Sequence, residues 1–221
     1  PRIFPFLAVR PDPARAGQIV GLPHDVETRE EAVALVKGNP ISFLHVCHAE
    51  ADVPEPLANP DPRVPAQAAK AWREFLRTGV YAEDESPAVF VYRQSGVVGG
   101  VQHEQTGLIC CVSLQDYDEG RIRKHEKTRK AKEEQHVAFL SAVGAHTAPV
   151  LLAFRQDDAI VDLLADAREG PPLYEFEDAI RHQVWRVEDA APFVEAFERH
   201  QAFYIADGHP RSAAASRVSE R

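Results

Sequence analysis

Apolar and polar positions mix at the start of the chain, where Ile3, Phe4, Phe6, Leu7 and Val9 read as a strand-like opening that Pro11 and Pro13 end. Leu22-Pro23-His24-Asp25-Val26 reads as a short strand or turn. A helix is expected from Arg29 to Lys37. Thr28 stands before it, Glu31 completes a capping box, and Gly38 closes it. Asn39-Pro40 breaks the chain, and the compact apolar run from Ile41 to Cys47 is expected as a strand with His45 and His48 in or beside it. Residues 49–65, rich in Pro, Asp and Ala, read as a surface loop.

The spacing from Ala66 to Leu76 predicts an amphipathic helix ending at Gly79. Ala88 to Gln94 and Gln105 to Leu114 read as a hairpin around Gly96, Gly99 and Gly100. A highly charged segment, Asp116 to His136, continues as a helix through Val137 to Val143. A strand at Val150 to Phe154 and a helix from Ile160 to Arg168 follow, stopped by Gly170-Pro171-Pro172. Then come a strand from Arg181 to Val187, a helix from Ala191 to His200, and a short buried strand from Ala202 to Ile205. That strand runs into Asp207-Gly208-His209-Pro210-Arg211 and a small-residue helix, Ser212 to Val218. Irregular mixing of this kind suits α+β, or α/β with a mixed sheet. The expectation taken forward is α+β, a mixed sheet with flanking helices.

The 221 residues suit one large domain or two small ones. A single region over 1–221 is expected, with a subdivision near 115–150. The net charge of -9 argues against broad nucleic-acid binding, because a protein that lives on DNA or RNA carries a basic surplus. Cys47, Cys110 and Cys111 lie in apolar stretches with no CxxC, and read as reduced, packed thiols. No apolar run reaches the roughly 18 residues that span a bilayer, and no signal peptide is read at the start. A cytoplasmic location without a membrane partner is therefore expected. Pro1 is consistent with removal of an initiator Met, and the last residues look like a helix cut short.

Three segments carry candidate chemistry. In the first, a strand leads to Asp207, Gly208, His209 and Arg211, then a helix beginning near Ser212. Glycine lets backbone come close to a ligand, a helix start offers free N–H groups to an anion, and arginine adds a fork of donors. Asp207 could hold a metal or a substrate hydroxyl; the rival is an ordinary Asp-Gly turn. The second runs from Arg121 to Lys132 and reverses the acidic balance of the chain, which suits an anionic partner such as a nucleotide. Within it, His125 and Glu126 can both reach one site if they sit in a loop, and Glu126 could serve as general base or Mg²⁺ ligand. The rival is a solvated charged helix start. In the third, Asp25 and His45 are polar groups among apolar neighbours, candidates to bind substrate or to make structural hydrogen bonds. His45 and His48 would face opposite sides of a strand, and no HExxH or Cys/His spacing occurs, so no dedicated structural zinc site is expected.

Taken in order, Pro5-Phe6 with Val9-Arg10-Pro11, Leu22 to Val26, Asn39-Pro40 to Val46, Val91 to Gln94, Gln105 to Leu108, Lys124 to Arg129 and Tyr204 to Arg211 resemble the bacterial and archaeal domain-of-unknown-function family 1015, often labelled ParB-like. The resemblance spans nearly the whole chain. It departs at Pro210, where the family has a second His, and at Lys127, where it usually has a His. If either carries catalysis, the resemblance implies an altered or inactive protein. Family members are longer, so this stretch is expected to be an N-terminal part whose remainder completes the site or a homodimer.

The Asp-Gly-His-x-Arg turn is also similar to the nucleotide-phosphate motif of the ParB and sulfiredoxin superfamily, which includes free-serine kinases. That likeness implies a phosphate-binding turn and L-serine as acceptor. The expected activity is phosphorylation of a small hydroxy compound with ATP (or ADP as the related nucleotide) and Mg²⁺. Gly208, His209, Arg211 and Ser212 would hold phosphates, and Arg129 and Lys132 would neutralise the moving phosphoryl group. Glu126, with His125 beside it, or else Asp207, would take the hydroxyl proton. The rivals are a ParB-like regulator that binds nucleotide or DNA, a sulfiredoxin-type enzyme needing a reactive cysteine, and a scaffold that has lost activity.

Overall fold

A computed structural model describes residues 1–20 and 28–220. In chain order the elements are β1 (Ile3–Phe4), β2 (Val9–Pro11), α1 (Ala16–Ile19), α2 (Arg29–Val36), α3 (Leu44–Cys47), α4 (Arg63–Arg77) and β3 (Tyr81–Glu83). They continue with β4 (Val89–Val98), β5 (Val101–Ile109), β6 (Cys111–Val112), α5 (Leu114–Asp118), β7 (Ile122–Arg123), α6 (Lys130–Val143) and β8 (Leu151–Ala153). The last are α7 (Asp158–Asp166), β9 (Tyr174–Glu177), β10 (Arg181–Val187), α8 (Ala191–Glu198), β11 (Phe203–Asp207) and α9 (His209–Ser219). Mixed α+β architecture with several small sheets is the result. The chain divides into two compact units, each gathered from three segments. Residues 1–17, 83–125 and 151–206 make the first, and residues 18–82, 126–150 and 207–221 the second. The second takes in part of the stretch where a subdivision is expected, but joins it to segments far away in sequence.

The first unit holds the two larger sheets. Antiparallel strands run in the order β5-β4-β10-β9, and β7-β11-β8 form a second sheet in which β7 and β11 are parallel. The β4–β5 hairpin turns at Gly99-Gly100 alone, with Val98 opposite Val101. Both glycines have positive φ, 59° and 81°, the backbone a two-residue hairpin turn demands. Gly96, expected in the turn, lies within β4 opposite His103, where a Cβ would meet Ile180 Cγ2 at 2.7 Å. The core gathers Val89, Val91, Ile122, Trp185, Phe193, Phe197, Phe203 and Ile205, where each large side chain contributes about 1.5–3 kcal/mol by burial.

One fully buried carboxylate sits beside that core. Asp116 accepts hydrogen bonds from the Arg2 backbone N–H at 2.6 Å and from Arg121 Nε at 2.8 Å. Burial alone would push its carboxyl up, but the Arg2 N–H and the Arg121 guanidinium outweigh that and hold it below the ordinary range.

The second unit is helical. Thr28 Oγ1 accepts from the Glu31 N–H while Glu31 accepts from the Thr28 N–H, so the expected capping box starts α2. On α4, Ala68, Ala69, Trp72 and Phe75 fall on one buried stripe, and Trp72 and Phe75 pack against Tyr81. Helix α6 packs on α4 and α9, and Ala214, 1% exposed, marks the buried side of α9.

The segment from Ile41 to Cys47 corrects the strand expectation. Its latter part is the four-residue helix α3, with the Phe43 N–H bonded to the Ile19 carbonyl and the His48 N–H to the Leu44 carbonyl. An apolar run this short fits a buried helical turn as well as a strand, and tertiary contacts decide.

Candidate functional site

The site is built from two stretches of the second unit, Glu126–Lys132 and Asp207–Ser212. Strand β11 ends at Asp207 and α9 begins at His209, so one residue, Gly208, must reverse the backbone between them. Gly208 has φ 94°, a left-handed conformation, and a Cβ there would lie 2.8 Å from Val150 Cγ1 and 3.0 Å from Arg211 Nη2. Only glycine satisfies both demands. As the N-cap of α9, Gly208 brings no side-chain cap to the first-turn N–H groups. Its carbonyl accepts from the Ser212 N–H at 2.9 Å and the Ser212 hydroxyl at 3.2 Å.

Arg211 Nη2 donates to Asp207 Oδ2 at 2.7 Å. Its Nε is buried and has no hydrogen-bond partner among the described residues. The Asp207 carboxylate is mostly exposed. The turn thus presents a guanidinium steered by a neighbouring carboxylate at the start of an eleven-residue helix, an arrangement suited to an anion or to an anion with its cation.

Residues 124–129 form no helix or strand, so Glu126 stands in a loop, as His125 does at the end of the first unit one residue earlier. The loop is tied to α9. Glu126 Oε1 lies 3.3 Å from His209 Nδ1, with the His209 side chain 4% exposed and that of Glu126 58% exposed. Glu133 on α6 strengthens the tie, accepting from the Thr128 hydroxyl at 2.9 Å and from Arg217 Nη1 at 2.8 Å. The basic stretch and the Asp-Gly-His-Pro-Arg turn are therefore neighbours. Nothing in the local spacing shows the Glu133 clasp, because its partners lie five residues before and 84 residues after it.

Arg129 is the N-cap of α6, with Lys130 and Lys132 in the first turn. Cations there oppose the helix dipole, each at a cost of about 0.3–1 kcal/mol when salt is low. Among the described residues the side chains of Lys127, Arg129 and Lys132 make no ion pair, and Lys130 reaches Glu134 only at 4.0 Å. A bound anion would offset that adverse field.

Of the expected substrate-binding pair, only His45 is among the described residues. Asp25 lies outside the described residues. His45 is on α3, its Nδ1 2.6 Å from Asp52 Oδ2 and its Nε2 3.0 Å from the Asn39 carbonyl, so both ring nitrogens have internal partners. No disulfide joins the cysteines among the described residues; Cys47 and Cys110 are half-buried and Cys111 is exposed. Burial pushes the Cys110 thiol up to about 12 and raises that of Cys111. No helix among the described residues is long and apolar enough to cross a membrane.

An α+β chain of two units, with a glycine-reversed acidic-to-basic turn at a helix start against a basic loop, is the class of protein these observations define. The chain belongs to the family described as protein of unknown function DUF1015, whose model matches residues 3–221. No curated protein and no solved structure matches it.

Proposed function

We propose that this protein is a nucleotide-dependent phosphotransferase that moves the terminal phosphoryl group of ATP to the hydroxyl of a small molecule, a free hydroxy amino acid such as L-serine. The observation that carries the reading is the pairing of Glu126 with His209 at 3.3 Å, which puts a carboxylate beside an anion-suited helix start. Phosphoryl transfer asks a protein for little covalent chemistry. It needs a held phosphate chain, positive charge where charge moves, and a group to take the hydroxyl proton. The Gly208–Ser212 turn supplies the first, Arg129 and Lys132 with Arg211 the second, and Glu126 the third. The exposed Asp207 carboxylate would hold Mg²⁺, which would supply charge neutralisation to the phosphates. The serine acceptor rests on the similarity of the turn to free-serine kinases.

A reductase of sulfiredoxin type fits less well, because that chemistry needs a thiolate and burial raises both Cys110 and Cys111. Incubation of the purified protein with ATP, Mg²⁺ and L-serine, then with pools of other hydroxy compounds, should yield a phosphorylated product. Glu126→Gln should keep nucleotide binding and lower turnover by about 10²–10⁴-fold, the range general-base catalysis supplies. Unchanged turnover removes Glu126 from the scheme. Absence of product with every acceptor removes the scheme itself, and a salt-dependent shift of DNA by the same protein would favour a ParB-like regulator instead.

A further inference from the structure

His209 was expected among the phosphate ligands, but its side chain is 4% exposed while the carboxylate it faces is on the surface. From this we infer that His209 is a positioning residue for the base Glu126 and not a ligand of the phosphates, an inference that rests on the phosphotransferase reading above. Glu126 sits in a loop, and its carboxylate has no other hydrogen-bond or ion-pair partner among the described residues. Left alone, a long exposed side chain in a loop samples several rotamers, and a misplaced base loses rate steeply.

His209 is suited to remove that freedom. It is the first residue of α9, followed by Pro210, whose ring restricts the backbone at the helix start. Its ring is buried, so its Nδ1 position is fixed by packing. A proton on Nδ1 donated to Glu126 Oε1 leaves Oε2 to face an acceptor hydroxyl. In the reaction the hydroxyl proton passes to Oε2 as its oxygen bonds to the terminal phosphorus. The bond from that phosphorus to the bridging oxygen breaks, and its electron pair leaves with the nucleoside diphosphate. His209 exchanges no proton in this step. It holds the carboxylate that does.

The test separates positioning from packing and from phosphate binding. His209→Ala should lower kcat about 10²-fold with KM for ATP changed by less than about 3-fold. His209→Asn places an amide N–H near the Nδ1 position and should recover a substantial part of kcat. In the Glu126→Gln background, His209→Ala should add almost nothing, because the two act as one unit. A raised KM for ATP with kcat unchanged, or full additivity of the two substitutions, overturns the inference. Nitrogen NMR of the histidine-labelled protein reads the pair without turnover. The His209 Nδ1–H signal should move when Glu126 becomes Gln, and an unmoved signal overturns the pairing even if His209→Ala fails to fold. A wild-type protein without product under all acceptors sinks the phosphotransferase reading and the catalytic part of this inference with it. An active wild type with an unmoved signal sinks the inference alone.

Discussion

At Gly208 two independent requirements meet, a positive φ and a backbone pressed against Val150. Gly208→Ala should therefore destabilise by about 1–2 kcal/mol from the left-handed backbone, with the 2.8 Å approach to Val150 Cγ1 adding to it. Denaturant midpoints of variant and wild type measure this, and an equal midpoint would show that the turn relaxes freely. Asp116 makes a different prediction. Its folded-state pKa lies below the ordinary Asp value, so its hydrogen bonds stabilise the protein above about pH 4, where the unfolded chain has also ionised. That contribution disappears as pH falls through the folded pKa. Asp116→Asn should lower stability at pH 7 by about 1–3 kcal/mol, since both arginines are half-exposed and solvent screens them. It should also flatten the acid limb of a stability-versus-pH curve. A variant that keeps the wild-type acid limb would show that other carboxylates set it.

Elements with a chemical start signal were the legible ones. Thr28-x-x-Glu31 announced α2, and the structure carries both hydrogen bonds of the box. Thr28→Ala should cost about 1 kcal/mol, read as a shift in urea midpoint. No shift would mean that the three hydrogen bonds Arg29 makes to Glu50, Val53 and Glu55 hold this helix start on their own. Strand β10 and helix α8 were legible through alternation and spacing. Strand β9 was not: Tyr174 and Phe176 alternate with glutamates, but a four-residue run is too short to be told from a loop without its pairing with β10. The α3 segment misled because the four residues Leu44-His45-Val46-Cys47 carry no usable period. At the site, the Gly208 turn could be read from residue types, whereas the charged stretch around Glu126 left a loop and a helix start both open. The Glu126–His209 pairing spans 83 positions, and the burial of His209 depends on how the units of this fold pack internally, which no local pattern encodes.

Under the proposed function, charge over the whole molecule decides how an anionic substrate arrives. The net charge is -9, yet Lys127, Arg129 and Lys132 cluster without ion pairs among the described residues. At about 0.1 M salt the Debye length is about 10 Å, so carboxylates scattered far from the site are screened while cations in contact with a phosphate chain are screened much less. The local attraction should therefore dominate nucleotide binding even though the molecule as a whole repels it. ATP affinity should weaken as salt rises from about 0.05 to 0.5 M. Lys127→Ala with Lys132→Ala should weaken it several-fold at the low end and flatten the salt dependence. At the high end the variant and wild type should converge. Titration calorimetry at three salt concentrations measures all of this. An affinity that rises with salt would mean that the overall negative charge wins, and that the basic start of α6 is a solvated helix face rather than part of a nucleotide site.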